Sequence, residues 1–224
     1  MTINATFMRQ EIEEIPEAVA RLLAGSRETL ASAGDRLRRY EPRTVVTIAR
    51  GSSDHAASFL KYAIELLAGV PVASIGPSIV SIYGQHLRLA HCAAIAISQS
   101  GMSPDIVAMA EAARRDGATT FAITNTPGSP LAAASDITID LLSGEEKSVA
   151  ATKTFVASVV AGLGLVAHWQ RDDGLLAALD ALPDLLRQAI ACDWSPVLGA
   201  LDKHQSLYVL GRGPALAIAN EAAL

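Results

Sequence analysis

The sequence predicts an α/β fold: a doubly wound parallel sheet of five strands, with helices on both faces. Three observations predict it. Short apolar runs alternate with helical patterns along the chain. Each run is apolar on both faces, as strands covered from two sides must be. Hydrophobic residues make up 50 % of the 224 residues, charged residues 18 % and aromatics 4 %, the composition of a tightly packed α/β protein.

The elements follow in order. Ile12, Ile15, Val19, Leu22, Leu23 and Leu30 recur at spacings of three and four, which predicts one amphipathic helix over residues 8–33. The β-branched run "TVVTIA" (44–49) is the first strand, and after "RGSSD" a helix covers residues 56–67. "GVPVASIG" supplies a second strand around 70–75, and "CAAIAIS" (92–98), "TTFAITN" (119–125) and "DITIDL" (136–141) supply three more. A helix over 104–115 separates the third and fourth. Residues 151–170 predict a long buried helix, and residues 175–191 a further helical segment that Pro183 should kink or split.

The last stretch, "SLYVLGRGPALAIANEAAL" (206–224), predicts a strand over 207–210, a glycine turn and a helix. It echoes "TVVTIARGSSDHAASFLKYAIEL", with Arg212-Gly213 standing where Arg50-Gly51 stand. The expected organisation is an N-terminal helical segment (1–40), a first domain (41–200) and the start of a second copy (201–224) that stops in mid-helix at Leu224. Tyr208, Leu210, Leu216 and Ile218 would then need another apolar surface, on the first domain or on a second copy of the chain, and pairing of two copies would misplace Glu221.

Charge and motif content exclude several classes. The net charge is −5, and no Lys/Arg cluster is interleaved with aromatics, so nucleic acid is not an expected ligand. The apolar run 158–167 contains glycine and falls short of the roughly 20 residues of a membrane span. The N-terminus is acidic where a signal peptide is basic, which predicts a cytoplasmic protein. Cys92 and Cys192 form no CxxC and read as buried, reduced thiols. His55, His86, His91, His168 and His204 show no metal-ligand spacing. No phosphate loop of the Gly-x-x-x-x-Gly-Lys type occurs, and "GRGPAL" lacks the third glycine of a dinucleotide turn. Neither metal nor cofactor is expected.

Ligands of open parallel sheets bind at the carboxyl ends of the strands. Three turns there are rich in hydroxyls and glycine: "RGSSD" (50–54), "SQSGMS" (98–103) and "TNTPGS" (124–129). Ser98, Gln99, Ser100 and Ser103 precede a helix whose unpaired N–H groups suit a phosphate dianion. The alternative is that such serines only cap the helix. Two serines flanking Gln99 before a glycine exceed what capping needs.

"SQSG" after a strand, "NTPGSPLAAASD" (125–136) and "GEEKSVAATKTF" (144–155) together resemble the sugar isomerase (SIS) domain. Within it the chain is most similar to the isomerase half of glucosamine-6-phosphate synthase and to the glutaminase-free deaminases of glucosamine-6-phosphate. The resemblance implies an αβα sandwich, two lobes per subunit and a homodimer. It puts Ser98, Gln99, Ser100 and Ser103 around the phosphate of an amino sugar, and Ser53, Val149 and Ala151 along the sugar, beside Gly51 and Ser52 of the first turn. It makes Glu221 the carboxylate that shuttles a proton between C1 and C2. Arg50 departs from the usual Cys, Ala151 from the usual Ser and Met102 from the common Glu. The lysine that forms an imine with the sugar, and the histidine that assists ring opening, correspond to positions beyond Leu224.

The implied activity of the full-length protein is isomerisation and deamination of glucosamine-6-phosphate to fructose-6-phosphate and ammonia, or the reverse. Thr2 stands where a glutaminase domain would carry its cysteine nucleophile, so glutamine is not the expected nitrogen donor. Two alternatives remain, an isomerase resembling the glutamine–fructose-6-phosphate transaminases and a non-catalytic phosphosugar-sensing module. The second lacks room for a DNA-reading domain before the first strand.

Overall fold

The computed structural model describes residues 6–201 and 206–224, and expectations resting on Thr2 and His204 lie outside them. The N-terminal segment is three helices rather than one: α1 (Phe7–Glu13), α2 (Ile15–Gly25) and α3 (Arg27–Tyr40). Pro16, in the first turn of α2, lacks the N–H that a continuous helix would need there. At the second break, Ser26 turns its hydroxyl to the carbonyl of Asp140, 2.7 Å away.

The sheet then builds in alternation. After β1 (Thr44–Ile48) come α4 (Ser52–Leu67), β2 (Val72–Ser74), the single turn α5 (Ser78–Ser81) and β3 (Cys92–Ile97). They are followed by α6 (Pro104–Arg115), β4 (Thr119–Thr124), α7 (Pro130–Ala134) and β5 (Ile137–Asp140). All pairings are parallel and the order is β2-β1-β3-β4-β5, so the winding reverses between β1 and β3. That reversal opens a crevice at the carboxyl ends of these two strands.

The two faces of the sheet are covered by different helices. Val45, Ile95, Ile97, Phe121, Ile123 and Ile139 are buried against α2, α3, α4 and the long helix α8 (Lys153–Gln170). The opposite face presents Val46, Ile48, Ala94, Ala96 and Ala122 to α6 and α7. The register places Ile95 beside Thr47 and Phe121, so the large side chains form one layer.

Close backbone approach locks α8 down. A Cβ on Gly34 of α3 would lie 2.7 Å from the His168 carbonyl carbon and the Trp169 nitrogen, so only glycine fits this crossing. Arg38, one turn on, donates to the carbonyls of His168 (2.9 Å) and Trp169 (2.6 Å) and closes the C-terminal end of α8. Burial pushes the His168 imidazole below its ordinary pKa, and Arg27 and Arg38 nearby act the same way.

Helix α9 (Asp173–Ala191) is not split at Pro183, which is buried within it. Cys192, at the C-cap of α9, is exposed rather than buried, and Cys92 at the start of β3 is only partly buried. Helices α10 (Ser195–Leu201) and α11 (Ala215–Ala222) follow. The strand expected over 207–210 does not form: no described strand pairs with that segment, and Tyr208 and Leu210 are each 91 % exposed. Helix α11 folds back on α4, but it buries Ala217 and Ala219 and leaves Leu216 and Ile218 exposed. The small alanine face permits a close helix approach that the branched face would block. Gly213 precedes α11 with φ +62°, as Gly51 precedes α4 with φ +58°.

Candidate functional site

The site is built from three turns. At the first, Gly51 takes φ +58° and ψ −139°, which a side chain would resist, and reverses the chain so that α4 starts at once. Its carbonyl accepts from the N–H of Asp54 (2.8 Å). Arg50 turns outward to Asp105, 2.6 Å away in the first turn of α6.

At the second turn, Ser98 is buried and its Oγ accepts from the N–H of Gly101 (3.2 Å). The Ser100 Oγ accepts from the N–H of Met102 (3.3 Å). Each hydroxyl thus uses an acceptor site internally and keeps its proton for donation. Ser103 occupies the N-cap of α6, yet its side chain makes no capping hydrogen bond. The capping alternative therefore does not account for it. Gly101 has φ +62° and packs so closely that a Cβ there would lie 2.6 Å from the Ser129 Cβ. The carbonyl of Gln99 is held by the Asn125 N–H (3.0 Å) and the Thr124 hydroxyl (3.2 Å).

The third element is the loop between β5 and α8. Asn125 receives the Ser143 N–H on Oδ1 (2.9 Å) and donates from Nδ2 to the Gly144 carbonyl (2.7 Å). Glu146 caps α8, accepting from the N–H (3.0 Å) and hydroxyl (3.0 Å) of Thr152, and from the N–H (3.1 Å) and hydroxyl of Thr154.

These turns enclose a cavity of about 210 Å³ lined by Arg50, Ser52, Ser53, Gln99, Glu146, Ser148, Val149, Ala151, Thr154, Phe155 and Ser158. The structure brings together Ser52, Ser53, Gln99, Val149 and Ala151, which lie far apart in sequence. Gly51 is the hinge beside them. Ser98, Ser100 and Ser103 flank Gln99 in the adjoining turn without lining the cavity itself. A more open groove of about 900 Å³, with Arg21 and Asn125, shares Gln99 and Glu146 as a common wall. Glu221 is brought elsewhere: its carboxylate lies 2.7 Å from Nδ1 of His55 on α4 and does not line this cavity.

Sequence reasoning missed Glu146, Ser148, Thr154, Phe155 and Ser158 as cavity residues. The first four stand inside the motif "GEEKSVAATKTF", and a carboxylate ahead of two threonines is the pattern of a side chain that caps the following helix. Among the described residues, no three His, Cys, Asp or Glu side chains are grouped to hold a metal, and no helix is long and apolar enough to cross a membrane.

A doubly wound parallel sheet with a polar cavity at its switch point defines a ligand-binding α/β domain. The chain belongs to the SIS domain family, whose model matches residues 40–167. It is 36 % identical, over 97 % of its length, to the isomerizing glutamine–fructose-6-phosphate aminotransferase of Pyrobaculum aerophilum, and spans 37 % of that relative. Among solved structures it matches a candidate phosphosugar isomerase of Silicibacter pomeroyi DSS-3 at 54 % identity, with a TM-score of 0.95, covering 98 % of this chain and 67 % of that one. It also matches the C-terminal domain of glucosamine-fructose-6-phosphate aminotransferase from Francisella tularensis at 25 % identity and a TM-score of 0.75, covering all of this chain and 67 % of that one.

Proposed function

We propose that the chain binds a phosphorylated amino sugar, as part of an enzyme that isomerises and deaminates glucosamine-6-phosphate to fructose-6-phosphate and ammonia, or runs the reverse amination. The observation that carries this reading is the pair of hydroxyls, Ser98 and Ser100, that accept from backbone N–H groups and keep their protons at the uncapped start of α6. Such a turn suits a phosphate, which the hydroxyls of Ser98, Ser100 and Ser103 and the amide of Gln99 would hold. The sugar would then extend past Ser52, Ser53, Val149 and Ala151 in the adjoining cavity, with Gly51 fixing the turn. The resemblance gives proton transfer to Glu221, which here is paired with His55 at 2.7 Å and stands outside the cavity lining, so that role would need the carboxylate brought to the sugar. The matching positive-φ glycines before α4 and α11 support the reading of residues 201–224 as the start of a second copy of the domain. A homodimer completes the reading.

The relatives' names favour a second reading, an isomerizing aminotransferase that takes nitrogen from glutamine. One set of assays separates the two. Calorimetric titration with glucosamine-6-phosphate is paired with ammonia release from it, and with glucosamine-6-phosphate formation from fructose-6-phosphate given ammonia or glutamine. Binding with ammonia release supports the first reading, and product formed only with glutamine supports the second. Failure to bind either sugar phosphate would sink both.

A further inference from the structure

Glu11 is only 4 % exposed, yet it lies on α1, outside the cavity lining. Its partners all belong to one loop. Its carboxylate accepts from the N–H of Lys147, the N–H of Ser148 (3.2 Å), the Ser148 hydroxyl and the Thr152 hydroxyl (3.3 Å). Ser148 lines the cavity, and Val149 and Ala151 lie between the two anchor points, Ser148 and Thr152. A second tie runs alongside, from the buried Lys153 ammonium to Glu14 at 2.5 Å.

A buried carboxylate is tolerated only while it is hydrogen-bonded. All the donors that satisfy Glu11 come from the loop, so releasing the loop would strand a buried charge. The cost of stranding it locks the loop in one conformation. We propose that Glu11 is a positioning residue for the cavity, fixing residues 147–152 so that Ser148, Val149 and Ala151 form its wall. The proposal rests on the reading of that cavity as the sugar site.

The test uses the full chain with Glu11→Ala and Glu11→Gln, read by amide hydrogen exchange and by calorimetry with glucosamine-6-phosphate and with inorganic phosphate. In Glu11→Ala, the Lys147 and Ser148 amides should exchange at least about tenfold faster, while β3 and β4 amides keep their protection. Affinity for glucosamine-6-phosphate should fall at least about tenfold, whereas inorganic phosphate, which needs only the β3–α6 turn, should bind within about twofold of the parent. Glu11→Gln, which keeps one acceptor oxygen, should fall between, and it carries the test if Glu11→Ala does not fold. Unchanged loop exchange, or sugar-phosphate affinity within about twofold of the parent, overturns the proposal. If the unsubstituted chain binds no glucosamine-6-phosphate while the loop amides still respond to the substitution, the site reading fails and the proposal with it.

Discussion

The Glu221 carboxylate and the His55 imidazole, 2.7 Å apart and both largely buried, tie helix α11 to the first turn of α4. The contact joins residues that the sequence reading expected to belong to separate domains. Replacing either with alanine should therefore loosen α11. Exchange of its amides should quicken in His55→Ala and in Glu221→Ala, and the double variant should be little worse than either single one. A coupling of about 0.5–3 kcal/mol is expected for residues in direct contact. Strictly additive effects would show that the pair does not hold the helix.

Ser100→Ala should weaken sugar-phosphate binding by about 1.5–3 kcal/mol, the range for a hydrogen bond to a charged group, with stability nearly unchanged. Ser98→Ala should do more. Its Oγ satisfies the buried Gly101 N–H, so its loss should also cost about 1–3 kcal/mol of folding stability. Calorimetry and urea unfolding separate the two effects. An unimpaired double variant would move the anion to another place.

Gly34→Ala should destabilise the protein by about 1–3 kcal/mol or more, because the added methyl would meet the backbone of α8 rather than a side chain that can swing away. The urea midpoint is the measurement. Gly128→Ala, with nothing within 4 Å of the added carbon, is the control and should shift it little.

Burial alone would raise the Glu11 pKa, but hydrogen bonds from Ser148, from the Lys147 and Ser148 N–H groups and from Thr152 outweigh it and hold the group below its ordinary 4.5. The neighbouring charged groups, Glu14, Arg21, Glu145, Lys147 and Lys153, edge the same hollow. A depressed folded pKa contributes stability that is complete above the unfolded value and is lost as pH falls through the folded one. The stability gap between the parent and Glu11→Gln should thus be flat from about pH 7 to about 5.5 and narrow below about 4.5. A gap that widens toward acid would contradict this sign.

The sheet was legible because parallel strands are short apolar runs, and each of 44–49, 92–98, 119–125 and 136–141 contains a real strand. Local signals failed where a partner decides. Residues 207–210 have strand composition, but a strand needs a neighbour's free amides and carbonyls, and no described strand supplies them. The single helix expected over 8–33 ignored Pro16 and the pull of Asp140 on Ser26, the second being invisible along the chain. Pro183 was overrated as a breaker, since a buried position can hold a helix together around one missing donor. In the site, motif residues such as Ser52, Ser53, Val149 and Ala151 were readable and do meet. Glu11 was not, because its partners lie far along the chain, on the loop before α8.

Helix α8, whose first turn lines the cavity, and helix α6, which starts from the adjoining turn, are finished differently at their N-termini. Helix α8 is closed by the Glu146 carboxylate, whereas the Ser103 side chain leaves α6 uncapped, and Arg50 balances Asp105 beside it. One end of the crevice is therefore negative and saturated, and the other still seeks an acceptor. A molecule with a single anionic tail meets a container with a built-in compass. On the proposed reading it could enter head-first or tail-first, but only one heading would put the tail at the uncapped turn, so the two helix ends would set the direction of the carbon chain.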